Sequence, residues 1–268
     1  MVDSFRSTRL RVAAAIYALA AALLFAPALQ AAEEAHGEES GHGVDWRSWK
    51  AGNEVANTAS LQRGASHFVN YCLGCHSLKY MRYERMAKDL DISGDQLRDN
   101  LITTGAKPTD YMLSTFPAAD GVTWFGRAPP DLSLIARSKG PDYVFQFLKT
   151  FYVDESKPTR TNNLALDGAA MPAVLSDLEG VKRAVFSTEV STDHAGGKML
   201  ERFEQVAPGA LKAEEYDIFV RDVVNFLDYV GEPAQVQRQS IGIWVVLFLL
   251  VFTWFAWLLK SEYWKDVH

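Results

Sequence analysis

From Ile241 to Leu259 the chain runs for 19 residues without a formally charged side chain. At about 1.5 Å per helical residue that is roughly 28 Å, close to the hydrocarbon thickness of a bilayer. Trp244, Trp254, Trp257, Tyr263 and Trp264 are aromatics of the kind that settle at membrane interfaces, and Lys260 and Lys265 lie just beyond the span. The pattern predicts one transmembrane helix over 241–259 and a short cytoplasmic tail over 260–268. Ahead of it, Tyr216, Phe219, Val220, Val223, Leu227 and Val230 line one face of an amphipathic helix over 213–230. Gly231-Glu232-Pro233 stops that helix, and a polar hinge over 233–240 follows. Leu61, Gly64, Ala65, Phe68 and Val69 recur at spacings of three and four, which predicts a helix over 57–71. Pro141-Asp142 opens another, with Tyr143, Val144, Phe147, Leu148 and Phe151 as its apolar face.

The remaining pattern is weaker. Ser93-Gly94-Asp95-Gln96 has the form of a capping box and predicts a short helix through Leu101 and Ile102. Leu78-Lys79-Tyr80-Met81-Arg82-Tyr83 reads as aromatic and helix-compatible. Residues 103–133 carry turn chemistry at Gly105, Pro108, Pro117, Gly121 and Gly126, and a loop of that length is usually functional. Residues 153–180 are irregular, 181–190 read as a strand or hairpin, and 191–212 read as a polar loop. The fold class expected is mainly α, with long loop insertions and one C-terminal transmembrane helix.

The N-terminus adds an address. Arg6, Arg9 and Arg11 precede an Ala/Leu-rich core from Val12 to about Phe25, and Pro27 and Leu29-Gln30-Ala31 follow. That is the form of a secretory signal peptide over 1–31, the alternative being an N-terminal anchor. Residues 32–45 are acidic and Gly-rich and read as a flexible tail, His36 and His42 included. A single domain over 46–232 is left between tail and hinge. Removing residues 1–31 takes away three arginines and one aspartate, so the net charge moves from −6 to −8. Such a surface repels nucleic-acid phosphates and favours a basic protein partner.

The chemistry lies in Cys72-Leu73-Gly74-Cys75-His76. C-x-x-C-H is the attachment signature of a c-type haem. Two thiols three positions apart on one turn can each add across a haem vinyl group, and the next histidine reaches the iron as the proximal ligand. A zinc knuckle would need a second Cys/His pair, and Cys72 and Cys75 are the only cysteines. A thioredoxin-like pair belongs in a βαβ pattern that the chain does not show. The 46–232 domain is therefore a c-type cytochrome domain with one covalent haem c. A methionine opposite His76 would close the iron and raise its potential. Met81 and Met86 follow His76 too closely to cross to the other haem face, and Met199 sits in a polar stretch. Met171 is favoured, because Ala169 and Ala170 leave room for a porphyrin and Pro172 stiffens the loop. Met112 is a rival, and His67 and His194 are the nitrogen alternatives.

Beyond the motif, the chain resembles the cytochrome c1 family from about Val44 to the C-terminus. The resemblance rests on Arg63-Gly64, Tyr71 through Ser77, Tyr80 and Tyr83, and the run from Trp124 to Ser133 with Pro129-Pro130-Asp131-Leu132-Ser133 at its end. Asp142-Tyr143, Met171-Pro172 and a last helix running through Gly231-Glu232-Pro233 into one span complete it. It implies that Cys72 and Cys75 hold the haem, that His76 and Met171 are the axial ligands, and that the Pro130 carbonyl accepts the His76 ring N–H. Gly64 and Phe68 would meet Phe226 and Tyr229 on the last helix of the domain. Many relatives have an Asn-containing stretch at a propionate where this chain reads Phe125-Gly126-Arg127-Ala128. Arg127, Arg137 and Lys139 are the candidate propionate contacts.

The function implied is one-electron transfer within a quinol:cytochrome c oxidoreductase of the respiratory chain. Electrons would pass from a Rieske iron–sulfur protein to a basic soluble cytochrome c, beside a cytochrome b. The haem domain would lie in the periplasm, anchored in a bacterial inner membrane. The rivals are a membrane-anchored c-type cytochrome of another chain, or a haem sensor or peroxidase with an open iron position.

Overall fold

A computed structural model describes residues 43–190 and 198–265. The signal peptide over 1–31, most of the acidic tail with His36 and His42, His194, and residues 266–268 lie outside the described residues. A 3-10 turn, Trp46–Ser48, leads to α1, Thr58–Tyr71. Asn57 caps α1 by accepting from the Ser60 amide at 3.1 Å. There follow β1 (Leu78–Arg82), α2 (Tyr83–Asp89), α3 (Gly94–Asn100), β2 (Tyr111–Met112), α4 (Ala118–Phe125), α5 (Ile135–Lys139) and α6 (Pro141–Lys149). Then come β3 (Phe151–Val153), β4 (Thr161–Asn163), α7 (Ser176–Glu179), β5 (Gly180–Val190), β6 (Lys198–Pro208), α8 (Ala213–Gly231) and α9 (Gln235–Tyr263). The strands form antiparallel pairs β1–β2, β3–β4 and β5–β6.

The core is built where α1 crosses α8. Leu61, Ala65, Phe68 and Val69 meet Tyr216, Val220, Val223, Phe226 and Leu227, all buried. The two helices touch backbone to backbone at Gly64, where a Cβ would stand 2.0 Å from the Asp222 carbonyl oxygen. Phe68 and Phe226 pack with ring centroids 5.8 Å apart. All six apolar positions read from the sequence of α8 are buried, since that face has no competing apolar stripe.

A polar network crosses the same seam. The Asp222 carboxylate, 4% exposed, accepts from Ser60 Oγ at 2.6 Å and from Arg63 at 2.6 and 3.0 Å. Asn225 Nδ2 donates to Ser60 Oγ at 3.0 Å and to the Glu54 carbonyl at 2.9 Å. Arg63 is half exposed, so solvent screens its charge and the ion pair itself contributes little. The buried Ser60 hydroxyl cannot turn to water instead. Asp222→Ala is therefore expected to lower stability by roughly 1–3 kcal/mol, mostly through this stranded donor. It would appear as a lower denaturation midpoint at unchanged slope. A loss below about 0.5 kcal/mol, the range of ordinary surface substitutions, would mean that water replaces the carboxylate.

The structure departs from the sequence pattern in six places, the first being that residues 153–180, expected to be irregular, contain β4 and α7. The run after His76 is a strand: Leu78 and Met81 are buried, and Leu78 pairs with Met112. A spacing of three suits a helix as well, and the partner strand is too distant in sequence to be read. The 103–133 loop contains β2 and α4. Residues 198–208, expected to be a polar loop, form β6 opposite β5; register shifts at Val181/Lys182 and Val185/Phe186 break the alternation that would have marked it. In α6, Phe145 is buried while Tyr143, Phe147 and Leu148 are half-buried, and Phe151 belongs to β3. The hinge expected over 233–240 is only Glu232, Pro233 and Ala234. Pro233 ends α8, but the Gln235 amide already donates to Glu232 O at 3.0 Å, and Arg238 Nε binds the Glu232 carboxylate at 2.8 Å, so α9 restarts at once. α9 has a mean hydropathy of 2.4 over its best 18 residues, none of them buried.

Candidate functional site

The motif begins where α1 ends. Cys72 and Leu73 both direct their amides to Phe68 O at 2.9 Å. The turn then tightens, with Cys75 N to Cys72 O at 3.0 Å and His76 N to Cys72 O at 2.8 Å. Both thiols and the imidazole therefore leave one turn of backbone. Cys72 is half-buried and Cys75 exposed. Burial pushes the free Cys72 thiol up to about 12, with the neighbouring Cys75 adding to the shift, so the free thiol is protonated in the folded chain.

Two loops strap this turn. The first is Pro130-Asp131-Leu132-Ser133. Pro130 O lies 2.8 Å from His76 Nδ1. A carbonyl only accepts, so Nδ1 carries the proton and Nε2 keeps its lone pair for a metal. Asp131 accepts from the Lys79 amide at 2.8 Å and the Ser133 amide at 3.1 Å, and the Leu132 amide donates to Ser77 O at 2.9 Å. Burial holds the His76 imidazole below its ordinary value, against the opposite pull of Pro130 O and Asp131. The second strap is at Ser114, whose amide donates to Ser77 Oγ at 2.9 Å and whose hydroxyl donates to Gly74 O at 2.8 Å. Ser114 was not singled out from the sequence, and its partners lie about 40 residues away with no spacing signal.

The donor set fits a haem. Leu113 and Leu134, each one residue from a strap, are 49% and 45% exposed. Exposed apolar side chains next in sequence to the residues that strap the thiol pair and the metal-ready imidazole suit a flat apolar macrocycle.

The methionines separate by burial. Met81, Met86 and Met112 are core side chains, at most 2% exposed, and Met112 faces Leu78 across β1–β2. Met199 is half-buried in β6. Met171 is half-buried in the loop before α7, where the Ala169 amide donates to Leu166 O at 3.2 Å and the Val174 amide to Pro172 O at 2.8 Å. His67 packs against Phe219 with ring centroids 4.2 Å apart, and burial lowers its pKa. The three cations named for propionates are dispersed. Arg137 pairs with Glu232 at 3.1 Å, Lys139 lies over the Tyr143 ring at 5.8 Å, and Arg127 is exposed.

A C-x-x-C-H turn at the end of a core helix, followed in the chain by a membrane-length helix, places the chain among the membrane-anchored c-type cytochromes. Comparison with known proteins narrows the class. The chain matches the Cytochrome C1 family over residues 48–184 and 204–267. It is 47% identical over 215 residues to cytochrome c1 of Allochromatium vinosum, covering 80% of this chain and 87% of that one. It is 42% identical over 219 residues to a Nitrosomonas europaea protein named ammonia monooxygenase gamma subunit, covering 82% and 88%. Cytochrome c1 of Rhodospirillum rubrum is 28% identical over 269 residues, covering 88% and 92%. The chain belongs to the cytochrome c1 family. It carries one covalently bound haem c and transfers electrons as the haem subunit of a cytochrome bc1 complex.

Proposed function

We propose that the iron is held between His76 Nε2 and Met171 Sδ, with Cys72 and Cys75 tethering the macrocycle through thioethers. The haem supplies the one-electron couple. The observation that carries the reading is the 2.8 Å approach of His76 Nδ1 to Pro130 O, which orients the ring and makes its other nitrogen a stronger donor. Met171 is favoured for the opposite face because Met81, Met86 and Met112 are committed to the core. With His76 and Met171 as its ligands, a haem iron would be closed to small ligands and would supply a one-electron couple. Of the candidate propionate contacts, Arg127 is the one whose exposed side chain lies within three residues of Pro130.

In this reading residues 1–31 export the chain, 46–232 form the periplasmic haem domain, and 241–259 cross the bacterial inner membrane, leaving 260–268 in the cytoplasm. Electrons arrive from a Rieske iron–sulfur protein assembled with a cytochrome b, and leave to a basic soluble cytochrome c. The net charge of −6, rising to −8 without the signal peptide, supports a basic acceptor. The test is stopped-flow reduction of a basic cytochrome c over a range of ionic strength. Screening shortens from about 30 Å at 0.01 M to about 10 Å at 0.1 M, so the second-order rate is expected to fall about tenfold or more between them. A salt-independent rate would remove the basic acceptor. Co-purification with a cytochrome b and a Rieske protein tests the assembly.

A further inference from the structure

A helix ends with carbonyls that have no partner inside the helix. At the end of α6, three consecutive ones accept from side chains of three other elements. Asn163 Nδ2 on β4 donates to Phe147 O at 2.7 Å. Tyr216 OH on α8 donates to Leu148 O at 3.2 Å. Lys182 Nζ on β5 donates to Lys149 O at 2.5 Å. Asn163 and Lys182 are both buried.

The same two side chains govern the backbone on either side of Met171. Upstream, Asn163 Oδ1 accepts from the Ala165 and Leu166 amides at 2.9 and 3.1 Å, and Leu166 O in turn accepts from Ala169. Thr150 Oγ1 donates to that Asn163 oxygen at 3.2 Å, tying it again to the end of α6. Downstream, Lys182 forms an ion pair with Glu179, the last residue of α7. From Glu179 back to Pro172 the chain is a run of linked turns: Glu179 N to Leu175 O at 3.0 Å, Ser176 N to Ala173 O at 3.1 Å, and Val174 N to Pro172 O at 2.8 Å. Met171, Leu148, Glu179 and Tyr216 line one small cavity, so the anchor and the methionine are neighbours.

We propose that Asn163 and Lys182 are positioning residues for the sixth haem ligand, fixing both ends of the Met171 loop to the C-terminal turn of α6. This rests on reading Met171 as that ligand. The charge-assisted contact of Lys182 with Glu179 and the amide of Asn163 hold the two ends of the loop from buried positions. A thioether stays on iron only if its loop is held in place when the bond is broken as well as when it is made.

The experiment uses the full haem-loaded chain in detergent, as wild type, Met171→Leu, Lys182→Met and Asn163→Ala. Three signals report ligation: the near-infrared sulfur-to-iron band of the oxidised protein, carbon monoxide binding by the reduced protein, and the reduction potential. Far-UV circular dichroism and the thermal midpoint report the fold. M171L is expected to abolish the band and open the iron fully. K182M and N163A are expected to keep the helical spectrum while the balance of sulfur-bound to open iron shifts roughly tenfold toward open, the lower range for losing an outer-shell partner of a metal ligand. The E179Q/K182M double variant, which removes the carboxylate that K182M strands, replaces K182M if that variant does not fold. If M171L loses the band but K182M and N163A keep it, refuse carbon monoxide and merely melt earlier, their role is structural and the inference fails while the ligation reading stands. If M171L itself keeps the band, both fall.

Discussion

Met171→Leu is expected to turn a closed, electron-carrying iron into an open one. Leucine and methionine have nearly the same volume, and such exchanges cost less than about 1.5 kcal/mol even in packed cores. Met171 is only half-buried, so the fold is expected to survive with a thermal midpoint close to that of the wild type. The loss should therefore appear at the iron. The near-infrared band disappears, the reduced protein binds carbon monoxide, and the potential drops by about a tenth or more of the roughly 0.8 V that axial ligation spans. A drop of that size makes the haem a stronger reductant but a poorer electron acceptor, so its own reduction by a high-potential donor should slow, and turnover of the assembled complex with it, with no change in docking to soluble cytochrome c. Should the variant keep its band and potential, Met171 packs against the Leu148–Tyr216 cavity and nothing more, and Met199 becomes the methionine to test next, since Met81, Met86 and Met112 are committed to the core.

How much of this site could be read from the sequence depends on how far apart in the chain its parts lie. Cys72, Cys75 and His76 share one turn, so their spacing alone carries the chemistry. Met171 required a choice among methionines, and burial narrows it: Met81, Met86 and Met112 lie in the core, which their letters alone do not reveal. The Pro130 carbonyl was accessible only through family resemblance, because a backbone acceptor 54 residues from its donor leaves no mark in composition. Ser114 and Lys182, whose partners lie 40 and 33 residues away, left none either. The fold divides in the same way. α1, α8 and α9 were legible because each keeps a single pattern over many turns. β1 and β6 were not, because one is five residues long and the other is bulged against its partner.

The crossing of α1 and α8 gives the sharpest test of the fold, since two effects there act in opposite directions. Gly64 lies in mid-helix, where alanine is intrinsically preferred by about 1 kcal/mol. On propensity alone Gly64→Ala should stabilise the protein. The geometry predicts the reverse. The new Cβ would stand 2.0 Å from the Asp222 carbonyl oxygen and 2.8 Å from Phe226 Cβ. The first is backbone and cannot rotate away, so α8 would have to retreat by more than an ångström. That retreat stretches the Ser60 and Arg63 bonds to Asp222, now at 2.6 Å, and loosens Phe68 against Phe226. Overpacking typically costs 1–3 kcal/mol, and weakening buried hydrogen bonds adds to it, so the net loss is expected to be about 3 kcal/mol. Gly94→Ala serves as control: its Cβ would meet only the end of the flexible Arg98 side chain, at 3.3 Å, and stability should change by less than about 1 kcal/mol. Denaturant midpoints of the two variants, compared at equal slope, decide the matter. A G64A midpoint at or above the wild-type value would show that the helices yield locally and that the close approach is not what sets the end of α1, and with it the Cys72–His76 turn, against the rest of the domain.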